Sequence, residues 1–243
     1  SSEDLQLIHK LEEKVLQAGY DLLKKVSDIS DKDNIDLQIA TSESLTAGLI
    51  MSSLVNLPIG GWAKYGCFGV YDTDAKRVFN SVEVDDVYTH TCAKEMAIGI
   101  LKNSNATFAI SVTGNAMPYF IDLNKLGEVF IGVAGYFTKE VNGEKTTEII
   151  YETRSINNCL NTYLDSDITE INKKCRSWIS SQPNSMTYAN RSETAAISRI
   201  IRNYTATLAM RFALDFLNQH SLTVPDFIKK SKDKNKKKQD KKH

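Results

Sequence analysis

The chain has 243 residues, 42% of them apolar, and its 30 basic and 30 acidic residues cancel to no net charge. That length buries a core in one large domain or two small ones, and no apolar run approaches the roughly 20 residues that span a bilayer. A membrane-spanning class is excluded on this reading, and the opening "SSEDLQLIHK" lacks the charged-then-apolar pattern of a leader, so a soluble intracellular protein with no membrane partner is expected.

From Leu5 to Val26, apolar residues recur at Leu5, Ile8, Leu11, Val15, Leu22 and Val26, which predicts a long amphipathic helix. After the polar break "SDISDKDNID", "LQIA" reads as a short buried strand and "SLTAGLIMSSLV" as a helix stopped by Asn56, Pro58 and Gly60-Gly61. "KYGCFGVYD" predicts a second strand, with Asp72, Thr73 and Asp74 as caps for a helix starting near "AKRVF". A helix from about Thr91 feeds the strand "TFAISV"; "EVFIGVAGYF" and "KTTEIIYE" then form a hairpin across Asn142-Gly143. The last long helix runs from about Thr194 to Leu217 and turns Ile197, Ile201, Tyr204, Leu208, Phe212 and Phe216 inward.

Strands alternating with helices, plus one hairpin, predict an α/β fold of three layers, α/β/α, around a mixed sheet. Residues 1–228 read as a single domain. The polar stretch between Arg154 and Arg191 has too few apolar positions for its own core and reads as an insertion, with one short helix around Ile168 to Ile179. From Lys229 the tail "KKSKDKNKKKQDKKH" carries nine lysines against two aspartates. It reads as a disordered, solvated extension at 229–243 whose charge suits acidic or nucleic-acid contacts. Such a run is also compatible with nuclear import, so the expected compartment is the cytoplasm, with the nucleus as a second one.

Cys67, Cys92, Cys159 and Cys175 are far apart with no CxxC pair, and His9, His90, His220 and His243 are equally scattered. Neither a zinc site, a disulfide framework nor a metallohydrolase spacing is present, so no metal and no cofactor is expected. GxSxG is absent and no histidine adjoins the serine-rich segments. The remaining chemistry-bearing feature is the strand-to-helix corner "LQIATSESLTAGLIMSSLV", with hydroxyls at Thr41, Ser42, Ser44 and Thr46. Thr41, Ser42 or Ser44 could simply cap the helix. Alternatively Ser44 is a nucleophile, in which case a lysine with a lowered pKa can replace histidine as its base. Lys76 follows a strand whose end should reach the same sheet edge; taken alone it reads as a solvated lysine on a helix face.

Five segments in order carry a resemblance. "ATSESLTAGLI" resembles the AESCTGGL signature of the CinA C-terminal domain family, and "FGVYDTDAKRVF" its VTYSNEAKxxLL segment. "AKEMAIGILKNSNATFAISVTG" is similar to the family's AxxMAxGAxxxxxADxAIAVTG, "LGEVFIGVA" to its VGTVWIA strand, and "IIRNYTATLAMRFALDFL" to its VRxxTVxxALxxL ending. The resemblance implies a CinA-like fold and a serine amidohydrolase with a Ser/Lys dyad, Ser44 as nucleophile and Lys76 as base. The implied reaction releases ammonia from nicotinamide mononucleotide to give nicotinic acid mononucleotide. Substrate binding is implied at Thr46, Tyr71, Thr113, Gly114, Asn115 and Arg202, with Arg199 and Arg191 as weaker candidates for a phosphate. The partners implied are a small-molecule nucleotide substrate and, since family members self-associate, further copies of the chain. Departures are the family's GIAGPxGGT loop, here "GNAMPYFID", and a shortened stretch between Val82 and Met96. Bulky residues in that loop suit a rival expectation, a catalytically silent CinA-like scaffold or binding module.

Overall fold

The five residues Ile39–Glu43 (β1) are buried on both faces, which places this strand inside the sheet rather than at its rim. A computed structural model describes residues 2–116, 127–157 and 191–230, together with positions 173 and 177. β1 pairs in parallel with Lys64–Gly69 (β2) and with Phe108–Gly114 (β3). β3 pairs antiparallel with Glu128–Val141 (β4), and β4 with Glu144–Asn157 (β5), in the order β2-β1-β3-β4-β5. The expected hairpin turns at Asn142-Gly143, both at positive φ of 54° and 81°, as a two-residue primed turn requires.

Among the described residues the sheet is clothed by helices that include α1 (Ser2–Asp33), α2 (Leu49–Val55), α3 (Thr73–Asn80), α4 (His90–Lys102) and α5 (Arg191–Gln219). α1 packs along α5, which lies on β3 and β4, whereas α4 lies on β1, β3 and β4 with α3 beside it. Strand alternation fixes these faces. Phe108 stacks on Phe216 of α5 with ring centroids 6.1 Å apart, while Ser111, three residues on, donates to the Ala93 carbonyl of α4 at 2.6 Å. The result is a three-layer α/β/α fold with a mixed sheet.

Several boundaries move from their sequence positions. The second helix starts at Leu49, not Ser44, because residues 44–48 form a turn with Ala47 and Gly48 at positive φ. The first strand extends through Glu43, and the last helix spans Arg191–Gln219. Leu5, read as an inward residue, is 63% exposed; the buried stripe of α1 runs through Leu7, Ile8, Leu11, Val15, Ala18 and Leu22. Residues 154–157, assigned to the insertion, continue β5. The rest of the insertion through position 190, its helix at 168–179, the departures at Met117, Phe120 and Ile121, Cys159 and Cys175, and the tail from position 231 lie outside the described residues.

α3 is held by the helix beside it. A Cβ at Gly99 of α4 would lie 1.9 Å from the Asn80 carbonyl, so only glycine lets the two helices meet there. Gly99→Ala must push α3 off α4, and overpacking of this severity costs about 3 kcal/mol. In a thermal melt the variant should lose about 10 °C; a Tm within two degrees of wild type would contradict this packing.

Candidate functional site at the carboxyl edge of the sheet

Glu43 ends β1 with no exposed surface. A carboxylate there must find donors or forfeit its hydration. The Thr41 hydroxyl donates to Oε2 at 2.7 Å and the Thr46 hydroxyl to Oε1 at 2.9 Å. The N–H groups of Ile50 and Met51 donate at 2.8 and 3.1 Å, and Cys67 Sγ lies 3.4 Å from Oε2. Glu43 therefore caps α2, in place of the Thr41, Ser42 or Ser44 hydroxyl expected to do so; the N-cap position itself is Gly48, with no side-chain bond. The signal was in the sequence as an acid at the end of a buried strand. Burial and the neighbouring Glu43 charge push the Cys67 thiol up to about 12, which makes it a poor nucleophile.

The four hydroxyls of the corner now separate. Thr41 and Thr46 bind Glu43, and Ser42 bonds the Asn80 side chain of α3. Ser44, 5% exposed, has its N–H on the Val112 carbonyl at 3.1 Å. Among the described residues its hydroxyl engages no partner.

Lys76 is buried, at 2% exposure, contrary to its reading as a solvated helix lysine. Its placement follows from register. Ser42, on β1, bonds Asn80 of α3; Ser44 lies one residue past the strand's end, and strand alternation carried that one residue further turns it to the side of Ser42, while Lys76 and Asn80 are one turn apart on α3. Two strand residues advance about 6.6 Å and four helical residues about 6 Å. α3 follows β2, parallel to β1, and returns along the sheet, so the step from Asn80 to Lys76 runs the same way as the step from Ser42 to Ser44. The Lys76 amine donates to the Tyr71 carbonyl at 2.9 Å; no hydrogen bond joins it to Ser44. Burial drives the Lys76 pKa below the ordinary lysine value, opposed by the Cys92 thiol and Asp72. The Cys92 thiol, also buried, is pushed up to about 11.

The other candidate residues divide into two groups. Near Lys76, the Thr113 hydroxyl donates to the Val87 carbonyl at 2.7 Å, and the Tyr71 side chain, 62% exposed, stands at the rim. Gly114 has a structural reason to be glycine, since a Cβ would lie 2.4 Å from the Glu128 carbonyl. Asn115, 7% exposed, bonds through its N–H to the same carbonyl at 3.0 Å. Arg202 lies elsewhere: its Nε donates to the Leu45 carbonyl at 2.7 Å, from the α5 side. There it lines a groove of about 550 Å³ with Arg199, Asn203, Thr46 and Glu12, which Ser44 and Lys76 do not line. Arg199 is paired to Glu12 at 2.9 Å, and the side chain of Arg191 lies outside the described residues. In the 44–48 turn, the N–H groups of Leu45, Thr46 and Gly48 meet no partner among the described residues. Among the described residues no cluster of His, Cys, Asp and Glu suited to a metal ion occurs, and no helix is long and apolar enough to cross a membrane.

A family model for the CinA C-terminal domain matches residues 21–160, a span that contains Glu43, Ser44, Lys76 and Thr113. The chain belongs to the CinA C-terminal domain family. A CinA-like protein of Chloroherpeton thalassium is 38% identical over 104 residues, 40% of this chain and 25% of that one. The MG115 homolog of Mycoplasma pneumoniae is 31% identical over 107 residues, covering 41% of this chain and 67% of that one. This CinA-family chain thus spans about a quarter of the length of the first relatives it matches. Among solved structures, a competence-damaged protein (CinA) superfamily protein from Klebsiella pneumoniae superposes with a TM-score of 0.51 at 18% identity, covering 83% of this chain and 99% of that one. A competence or damage-inducible protein from Enterobacter asburiae gives 0.51 at 17%, covering 82% and 98%. Both likenesses concern the fold.

Two expectations follow. Glu43→Ala strands buried donors at once and should cost about 4 kcal/mol in a urea titration, with Glu43→Gln between it and wild type; an Ala variant within 1 kcal/mol would show that the corner closes without the carboxylate. Lys76 binds its proton less well folded than unfolded, so the unfolded chain takes up more protons and stability rises with pH up to the ordinary lysine value near ~10.4. Replacing it in Lys76→Met should flatten that rise between neutral pH and pH ~10.4; parallel stability curves for the two proteins would mean the amine is not desolvated.

Proposed function

We propose that this CinA-family chain is a serine amidohydrolase that deamidates nicotinamide mononucleotide to nicotinic acid mononucleotide with release of ammonia. One observation supports the reading: α3, whose Asn80 bonds Ser42 two residues before the uncommitted Ser44 hydroxyl, carries a buried lysine one turn away at Lys76. A lysine acts as a base only when neutral, and burial moves Lys76 toward that state. A neutral amine has two N–H groups and one lone pair, and the Tyr71 carbonyl takes one of those N–H groups. The lone pair is then available to a hydroxyl.

In the reaction, Lys76 takes the Ser44 proton as Oγ attacks the carboxamide carbon. Negative charge gathers on the former carbonyl oxygen, and the unpaired N–H groups of Leu45 and Thr46 are the donors at hand; each such donor is worth roughly 3 kcal/mol. Protonated Lys76 returns the proton to the departing nitrogen, and ammonia leaves an acyl ester on Ser44. Water then attacks the ester, giving up its proton to the amine, and the carboxylate product is freed with Ser44 restored.

Ammonia release from the mononucleotide should be measurable with the wild-type chain and fall by 10³-fold or more in Ser44→Ala and in Lys76→Met. Absence of release from nicotinamide mononucleotide and from related pyridine nucleotides, or full activity in either variant, would defeat the proposal.

A further inference from the structure

The sequence resemblance gave Arg202 to the substrate, yet its Nε is spent on a main-chain carbonyl of the nucleophile turn. We propose that Arg202 is a positioning residue, whose bond to the Leu45 carbonyl aims the Thr46 N–H at the oxyanion formed by Ser44. The inference rests on the amidase reading above.

The carbonyl of Leu45 and the N–H of Thr46 belong to one peptide unit. No peptide bond in the described structure is cis, and in a planar trans peptide these two groups point in opposite directions. Arg202 reaches the carbonyl from α5, on the layer opposite α3 and α4. The Thr46 N–H therefore points away from the Arg202 guanidinium that α5 supplies. It has no partner among the described residues, although Thr46 is only 3% exposed. A buried main-chain donor without an acceptor is uncommon, and one beside a free serine hydroxyl is placed to receive charge as it develops.

Two anchors keep this peptide from rotating. Arg202 fixes its carbonyl at 2.7 Å, and Glu43 fixes the Thr46 side chain at 2.9 Å. The guanidinium also adds polarisation, since a cation on the carbonyl oxygen draws electrons through the amide and makes the N–H a stronger donor. A neutral substitute at 202 would lose both effects while leaving Ser44 and Lys76 in place.

Binding a substrate phosphate and positioning the peptide predict different results with a probe that has no phosphate to bind. A small uncharged fluorophosphonate serves: Ser44 Oγ forms the bond to phosphorus, fluoride leaves with the P–F electron pair, and Lys76 receives the hydroxyl proton. Labelling rates by intact mass, together with kcat and KM for ammonia release and a thermal melt, are compared for wild type, Arg202→Gln and Arg202→Lys. The positioning role predicts labelling and kcat slower by roughly tenfold or more in Arg202→Gln, with KM within about twofold and labelling in Arg202→Lys intermediate. Should Arg202→Gln fail to fold, Arg202→Lys, which keeps the charge and loses the Nε donor, carries the same comparison. A raised KM with labelling unchanged would overturn the proposal and return Arg202 to the substrate. Labelling that is abolished by Ser44→Ala but indifferent to Arg202 would sink this inference alone, whereas wild-type protein with no Ser44-dependent labelling would sink it together with the amidase reading.

Discussion

A single carboxylate with no exposed surface sits where an interior strand, β1, gives way to the turn and its helix, and the geometry of the edge depends on it. Glu43 collects donors from the strand before it, the turn after it, the start of α2 and the thiol of β2. Hydrogen bonds to a charged acceptor are each worth about 1.5–3 kcal/mol, enough together to offset the several kcal/mol lost in dehydrating the ion. The turn needs such an anchor because Ala47, a residue with a side chain, is held at a φ of 51°. Without a fixed turn, Ser44 would lose its defined place beside Val112 at the end of the sheet.

The second constraint is the seating of α3. Asn80 meets Ser42 through its side chain and Gly99 through its carbonyl, so one residue ties the helix to the sheet and to its neighbour. Lys76 is one turn away and inherits that placement. Its burial is thus a by-product of packing at Asn80 rather than of anything local to the lysine. This explains how a lysine in a polar helix comes to be drier than its sequence surroundings suggest.

The order of elements, the alternation of strand faces, the Asn-Gly hairpin and the inward stripe of α5 were all legible, because each rests on periodicity or on a short-range turn rule. The corner was legible as a location but not as a mechanism of support. A hydroxyl-rich stretch suggests hydroxyl capping, and although Glu43 shows as an acid at the end of a buried strand, nothing local says that it reaches seven and eight residues ahead to take that place. Long-range contacts account for the other differences. The commitment of Arg202 to Leu45 spans 157 residues, and the burial of Lys76 depends on how α3 meets α4. Resemblance to a family could name Arg202, but only packing reveals which atom it touches.

The lysine amine is steered by the backbone oxygen of Tyr71, whose ring stands outside in solvent. Any residue at 71 supplies that oxygen. The exposed side chain at 71 can accordingly change by point substitution while the acceptor that holds Lys76 stays as it is, so under the proposed amidase reading the outer surface could drift toward new clients without disturbing the base.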